Sequence, residues 1–168
     1  MKLIREITEK DITNKETYEE ISYKIRKASR AVVFNKQNKI AILNVSNDNY
    51  HKLPGGGIER DEDIITALRR ELIEEVGVEV DVLNELGMII EYRDNFKQLQ
   101  ISYCYLCKVV GEYQETSFTE EEKDNGFILE WVSLNEAISI LEKDNPEKYM
   151  GKFIRKRDLE FLKNVTVF

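Results

Sequence analysis

The stretch LPGGGIERDEDIITALRRELIEEVGVEV, residues 53–80, decides how this chain is read. Three successive glycines, Gly55, Gly56 and Gly57, open a loop, and residues 62–76 carry the clearest helical pattern in the sequence. Ile64 or Ile65, Leu68, Leu72 and Val76 recur at helical spacing and line one face. Asp61 is placed to cap the N-terminus, Glu62 and Asp63 fall in the first turn where the helix dipole favours them, and Gly77 is placed to end the helix. Glu71, Glu74 and Glu75 stand at i, i+3 and i+4, so they are neighbours on that helix. Like charges so placed repel, and helix stability alone would not select them. They lie away from the apolar stripe. With no histidine among them they are hard oxygen donors, suited to Mg²⁺ or Mn²⁺ rather than Zn²⁺. Taken alone, such a cluster is also compatible with a solvated acidic helix face.

Upstream, residues 31–34 (AVVF) and 40–45 (IAILNV) flank NKQNK and predict a hairpin. Residues 1–7 (MKLIREI) suit an edge strand, and 14–27 are polar, with Tyr18, Ile21 and Ile25 at helix-like spacing. Downstream, 78–92 and 97–110 read as two long strands, 111–125 as an acidic loop and 127–132 (FILEWV) as a further strand. Ser133 caps a helix over 134–143 with Glu136 as its capping-box partner. Residues 152–163 form a last amphipathic helix offering Phe153, Ile154, Phe161 and Leu162 to the core. Strands on both sides of the central helix, and two late helices, predict an α/β fold with a mixed sheet covered by helices.

The chain has 168 residues, enough for one domain with a sizeable core. Lys and Arg number 25 against 32 Asp and Glu, a formal net charge of −7, which argues against general nucleic-acid binding. The opening lacks the apolar core of a signal peptide, and no apolar run approaches a membrane span. Cys104 and Cys107 lie in a strand-like YCYLC, with His51 the only histidine, so they read as strand thiols and not as half a zinc site. A cytoplasmic location is the default expectation.

Gly56, five residues, Glu62, seven residues, Arg70-Glu71-Leu72, one residue, Glu74-Glu75, one residue, Gly77-Val78: this spacing resembles the Nudix box at every defined position. The resemblance is strong over residues 56–78 and looser over 29–142. It implies a Nudix α/β/α sandwich with a mixed β-sheet over residues 29–168. Residues 1–28 are then an N-terminal extension, serving as a strand or a homodimerisation arm. It implies Glu71, Glu74 and Glu75 as metal ligands for Mg²⁺, with Mn²⁺ able to substitute, assisted by a backbone carbonyl near Gly55 or Gly56. Glu62 and Arg70 would pair to orient that cluster. Gly55, Gly56 and Gly57 would let the backbone approach a phosphate or metal, which a Cβ would obstruct. One departure is visible: Asp61 stands where many family members have Gly.

Family substrates are nucleoside diphosphates linked to another moiety. The expected activity is therefore metal-dependent hydrolysis of a pyrophosphate bond in a small nucleotide-type substrate, with no membrane partner. The general base is expected from the box or from a later loop, and TEEEKD (119–124) offers Glu120, Glu121 and Glu122, with Glu121 entering the candidate site. Two other readings compete. A Nudix-fold nucleotide-binding or regulatory module without turnover would usually have lost box glutamates, and all are present. The family's isomerase branch wants a catalytic Cys and extra His ligands, which this composition does not offer. Outside the box, His51 could touch ligand, Arg26 and Arg30 phosphates, and Tyr92 and Trp131 a base. Each has an ordinary structural alternative. The absence of Pro from 90–96 and the presence of Tyr92 mildly disfavour an ADP-ribose substrate.

The acidity is localised. Residues 59–81 hold nine acidic and three basic side chains, residues 112–124 hold six and one, and the rest of the chain sums to +4. If the two segments are adjacent they repel, and bound cations would relieve that repulsion.

Overall fold

Residues 98–110 alternate strongly, and in the computed structural model they run through the middle of a mixed sheet. The structure describes residues 1–18 and 20–166. Among these residues seven strands form the sheet: β1 (Leu3–Ile7), β2 (Lys24–Phe34), β3 (Ile40–Val45), β4 (Tyr50–Lys52), β5 (Glu79–Arg93), β6 (Gln98–Val110) and β7 (Phe127–Val132). Their order is β1-β5-β6-β2-β3-β4, with β7 pairing β3. The helices are α1 (Glu9–Thr13), α2 (Ile64–Val76), α3 (Glu120–Asp124), α4 (Leu134–Lys143) and α5 (Tyr149–Lys163).

Alternation along the strands makes two cores. Ala31, Val33, Ala41 and Cys107 pack on one face against Leu68, Leu72 and Val76 of α2. Val32, Ile42, Ile89 and Cys104 pack on the other against Leu141 of α4 and Phe153 and Phe161 of α5. Helices therefore cover both faces, which is the expected α/β/α sandwich. Burying each large side chain stabilises the fold by roughly 1.5–3 kcal/mol. The two cysteines are free, buried and assigned to opposite cores, as an odd spacing in a strand requires.

Several expectations need correction. The turn after Phe34 closes, with the Asn35 amide donating to the Lys39 carbonyl (2.9 Å), but the hairpin splays at once. Phe34 and Ile40 are the one β2–β3 pair, while β2 runs parallel to β6 from Lys24 to Phe34 and β3 pairs with β4 and β7. Residues 24–27 belong to this strand and not to a helix, so the boundary drawn after residue 28 falls inside β2. β1 pairs parallel with β5 at the sheet edge. Arg5 reaches from it to Asp11 (2.8 Å) and Glu160 (2.6 Å). The acidic loop contains the short α3, and α5 begins at Tyr149, before the predicted start. No helix among the described residues is long and apolar enough to cross a membrane.

Helix α2 starts two residues later than its pattern suggested. Asp63, not Asp61, is the N-cap, accepting from the amides of Ile65 (2.8 Å) and Thr66 (2.9 Å). The reason lies in Glu62, which turns away to Arg70 and so cannot sit in the first turn. Asp61 takes a left-handed backbone (φ +70°), the conformation that glycine adopts without a steric penalty. Asp61→Gly should therefore be near neutral or stabilising, by up to about 1 kcal/mol, in a urea melt. A loss above that range would show that the Asp61 side chain has a role of its own.

Candidate functional site

The glycine loop is shaped by what it touches. A Cβ on Gly55 (φ +126°) would lie 2.2 Å from the Ser29 carbonyl oxygen, and one on Gly56 would lie 2.3 Å from Glu71 Oε1. The loop thus presses onto β2 on one side and onto α2 on the other. Ser29 N–H donates to the Gly56 carbonyl (2.9 Å) and Ala31 N–H to the Pro54 carbonyl (3.1 Å), fixing its height over the sheet. Gly56→Ala should displace the Glu71 carboxylate, because the clash is with a side-chain end that can swing aside. Activity should then fall by more than stability, about tenfold against roughly 1 kcal/mol or less. Equal activity in this variant would count against a role for that carboxylate.

Arg70 organises the helix face. Its guanidinium donates to both Glu62 oxygens (2.8 and 3.0 Å), to Glu71 (2.7 Å), more weakly to Glu74 (3.4 Å) and to the Gly57 carbonyl (3.1 Å). The Arg70 contact and a backbone amide hold the Glu62 carboxyl below its ordinary range. Glu75 is buried at 1% exposure, a place the sequence alone did not suggest for an acidic side chain. It accepts from Lys52 Nζ (2.7 Å) and from the Gly55 amide (2.6 Å). Burial pushes its pKa up, and Lys52 and the amide oppose that push. Desolvation also raises Glu74.

A cleft of about 520 Å³ adjoins the glycine loop. Glu71, Glu75, Gly55, Gly56 and Gly57 line it, together with Arg26, Arg30, Lys52 and Glu121. Glu74 is not among the residues that line it; its half-exposed side chain reaches Arg70 (3.4 Å) and feels the charge of Glu122 in the acidic segment. That segment is adjacent to the helix, since Gln114 N–H donates to the Gly77 carbonyl (2.7 Å) and Ser117 N–H to the Glu74 carbonyl (2.7 Å). Of the three loop glutamates, Glu120 pairs with Lys123, while Glu121 and Glu122 both border the cleft; Glu122 is held in a capping box with Thr119 and Glu121 is exposed and unheld.

Other candidates lie elsewhere. His51 Nδ1 sits 3.0 Å from Asp144 Oδ1, a structural tie outside the cleft. Tyr92 donates to Glu6 (2.8 Å) and lines a separate cavity of about 460 Å³ with Tyr23 and Asp94. Trp131 packs edge-on against Tyr113 beside the α2 core. Three groups at or behind the cleft escaped sequence reasoning. Lys52 had one signal, its place beside the loop in a strand whose alternate residue Tyr50 is also buried. Arg157 and Asp158 had none. Their helix was legible only through its apolar residues, yet Asp158 Oδ2 accepts from Leu53 N–H (2.9 Å), at the root of the glycine loop.

Glu71, Glu74 and Glu75 are all oxygen donors on one helix, and Gly56 leaves the space beside Glu71 free of a Cβ. This donor set fits Mg²⁺ or Mn²⁺. Among the described residues no three His, Cys, Asp or Glu side chains already converge as a cation cage. Instead Arg70 holds Glu71 and, more weakly, Glu74, while Lys52 holds Glu75.

The model of the NUDIX domain matches residues 24–156, and the chain belongs to the Nudix hydrolase family. It is 31% identical to Nudix hydrolase 12, mitochondrial, of Arabidopsis thaliana over 70% of this chain and 60% of that one. It is 29% identical to an RNA pyrophosphohydrolase of Pelagibacter ubique (88% and 85% covered). It is also 29% identical to diphosphoinositol polyphosphate phosphohydrolase 2 of Rattus norvegicus (77% and 69% covered). Among solved structures, a NUDIX hydrolase from Nitrosomonas europaea superposes with TM-score 0.58 at 17% identity, covering 79% of this chain and 88% of that one.

Proposed function

We propose that this chain is a divalent-cation-dependent pyrophosphohydrolase acting on a nucleotide-type substrate. The observation that carries this reading is one cleft in which carboxylates of the Nudix box, Glu71 and Glu75, meet the arginines of β2 across a glycine loop. The names of the RNA and diphosphoinositol polyphosphate relatives support cleavage between phosphates.

In this reading Glu71, Glu74 and Glu75 hold the cation. A bound divalent ion supplies neutralisation of the pyrophosphate charge and a water of lowered pKa. Arg70 keeps Glu62 and Glu71 aligned against the Gly57 carbonyl. Lys52 and the Gly55 amide hold the buried Glu75 carboxyl in place and oppose the burial that raises its pKa. The Glu121 carboxylate accepts the proton of the attacking water, and its exposed position leaves it free to reach in.

The deciding experiment is turnover on a panel of nucleotides with Mg²⁺ or Mn²⁺, read as phosphate released after pyrophosphatase treatment for members that end in phosphate and after phosphatase treatment for members esterified at both ends. Hydrolysis of at least one member is expected. Inactivity on the whole panel together with tight nucleotide binding in Mg²⁺ would favour a binding module instead. Mg²⁺ should also raise the melting temperature, by roughly 5–10 °C at about a hundred times its Kd. No shift at all would remove the support for a cation site on α2.

A further inference from the structure

Arg30 is the anomaly of the cleft. Its side chain is buried, at 6% residue exposure, yet its Nε and Nη1 have no hydrogen-bond partner. Buried guanidinium donors are ordinarily satisfied, because leaving them unpaired costs the full desolvation of a charged group. The neighbours explain why Arg30 is left over. Behind it, buried Arg157 takes both oxygens of Asp158 (2.7 and 3.0 Å), and Arg157 and Arg93 share Glu91 (3.4 and 2.9 Å). Glu91 and Asp158 are thus taken by Arg93 and Arg157, and buried Glu71 by Arg70, so none of these carboxylates hydrogen-bonds Arg30. Glu75 belongs to Lys52. Burial and then Arg157 push the Arg30 pKa down to about 10, still charged at neutral pH. Arg26, four residues away on the same face of β2, sits at the mouth, where a Cβ on Gly57 would lie 2.8 Å from its Nη2.

We propose that Arg30, with Arg26 at the rim, forms a subsite for a dianionic phosphate monoester, the free end of the substrate's phosphate chain. A buried guanidinium with unpaired donors, bordering an open cleft, is matched by an anion that brings both charge and acceptors. A singly charged diester brings less of each. The inference deepens the proposed function, and rests on it for treating the anion as part of a substrate. It selects substrates that end in phosphate, such as nucleoside triphosphates or 5′-phosphorylated chain ends with two or more phosphates. Pyrophosphates esterified at both ends, such as nucleotide sugars, are disfavoured.

The test uses methyl phosphate, a dianion well above its second pKa of about 6, against monoanionic dimethyl phosphate. Each is titrated onto the full chain at pH 8 in EDTA, with calorimetry and melting temperature as readouts. Methyl phosphate should bind at least about tenfold more tightly than dimethyl phosphate, and should raise the melting temperature. Arg30→Gln should lose at least about tenfold of that binding, and Arg26→Gln a smaller factor. Without ligand, Arg30→Gln should melt no lower than wild type, since it removes an unpaired buried charge. Equal binding of the two phosphates, or unchanged methyl phosphate binding in Arg30→Gln, overturns the proposal. If Arg30→Gln does not fold, Arg30→Lys reads the same loss while keeping the charge, and unchanged binding there overturns it as well. These arms contain no metal and no turnover, so they can fail while hydrolysis is observed, and hydrolysis can fail while they succeed.

Discussion

Glu71→Gln should lower turnover by about 10²–10³-fold at saturating Mg²⁺, the scale of removing one preorganised charged partner of a transition state. The substitution is isosteric. Its amide oxygen can still accept from Arg70 Nη1, which stands 2.7 Å from Oε1 of the native carboxylate. The lost charge assistance weakens that contact by about 1 kcal/mol, or roughly 2–4 °C in melting temperature. Activity and stability are therefore expected to separate, and the Mg²⁺-induced rise in melting temperature should shrink in parallel with turnover. Steady-state kinetics and thermal melts on one preparation suffice to check both. Turnover within about threefold of wild type would remove Glu71 from the site. A collapse of stability would assign it a structural role instead.

Asp158→Ala should be the most destabilising single change considered, by about 3–5 kcal/mol, or roughly 6–20 °C in melting temperature. The mechanism is specific. Arg157 is buried at 0% exposure and would keep a single 3.4 Å contact to Glu91. Leu53 N–H, also buried, would lose its acceptor. Because Leu53 leads directly into the glycine loop, activity should fall even at temperatures where the variant is fully folded. The double variant Arg157→Met, Asp158→Ala should recover part of the stability, since the unpaired charge goes with it. Urea melts of wild type, both single variants and the double would decide this. A double variant that loses the full sum of the singles would show that the pair is not coupled.

The helix that carries the box was legible because everything it needs is local: an apolar stripe, a terminal glycine and carboxylates at fixed spacing. The α4 helix was legible for the same reason, through Ser133 and Glu136. The N-cap was missed by two residues because Asp61 and Asp63 are equally good caps by type. What separates them is the reach of Glu62 to Arg70, eight residues on. The partner of β2 was not legible either, since alternation fixes which side chains face the core but not which strand lies alongside. The charges behind the cleft were the least visible. The Arg157–Glu91 contact spans 66 residues and the Leu53–Asp158 contact 105, and nothing near either end announces the other.

The parallel pairing of β2 with β6 has a consequence for how the chain is made. β2 is complete at Phe34, but its long neighbour ends at Val110. At a synthesis rate of roughly 5–20 residues per second, this strand, buried from Ala28 to Val33, waits several seconds for its partner. During that interval its open edge and the AVVF run are exposed, while β3 and β4 can already pair locally. The nascent protein is then most prone to off-pathway association before residue 110 emerges. Placing the box helix between the two strands in sequence makes that delay unavoidable.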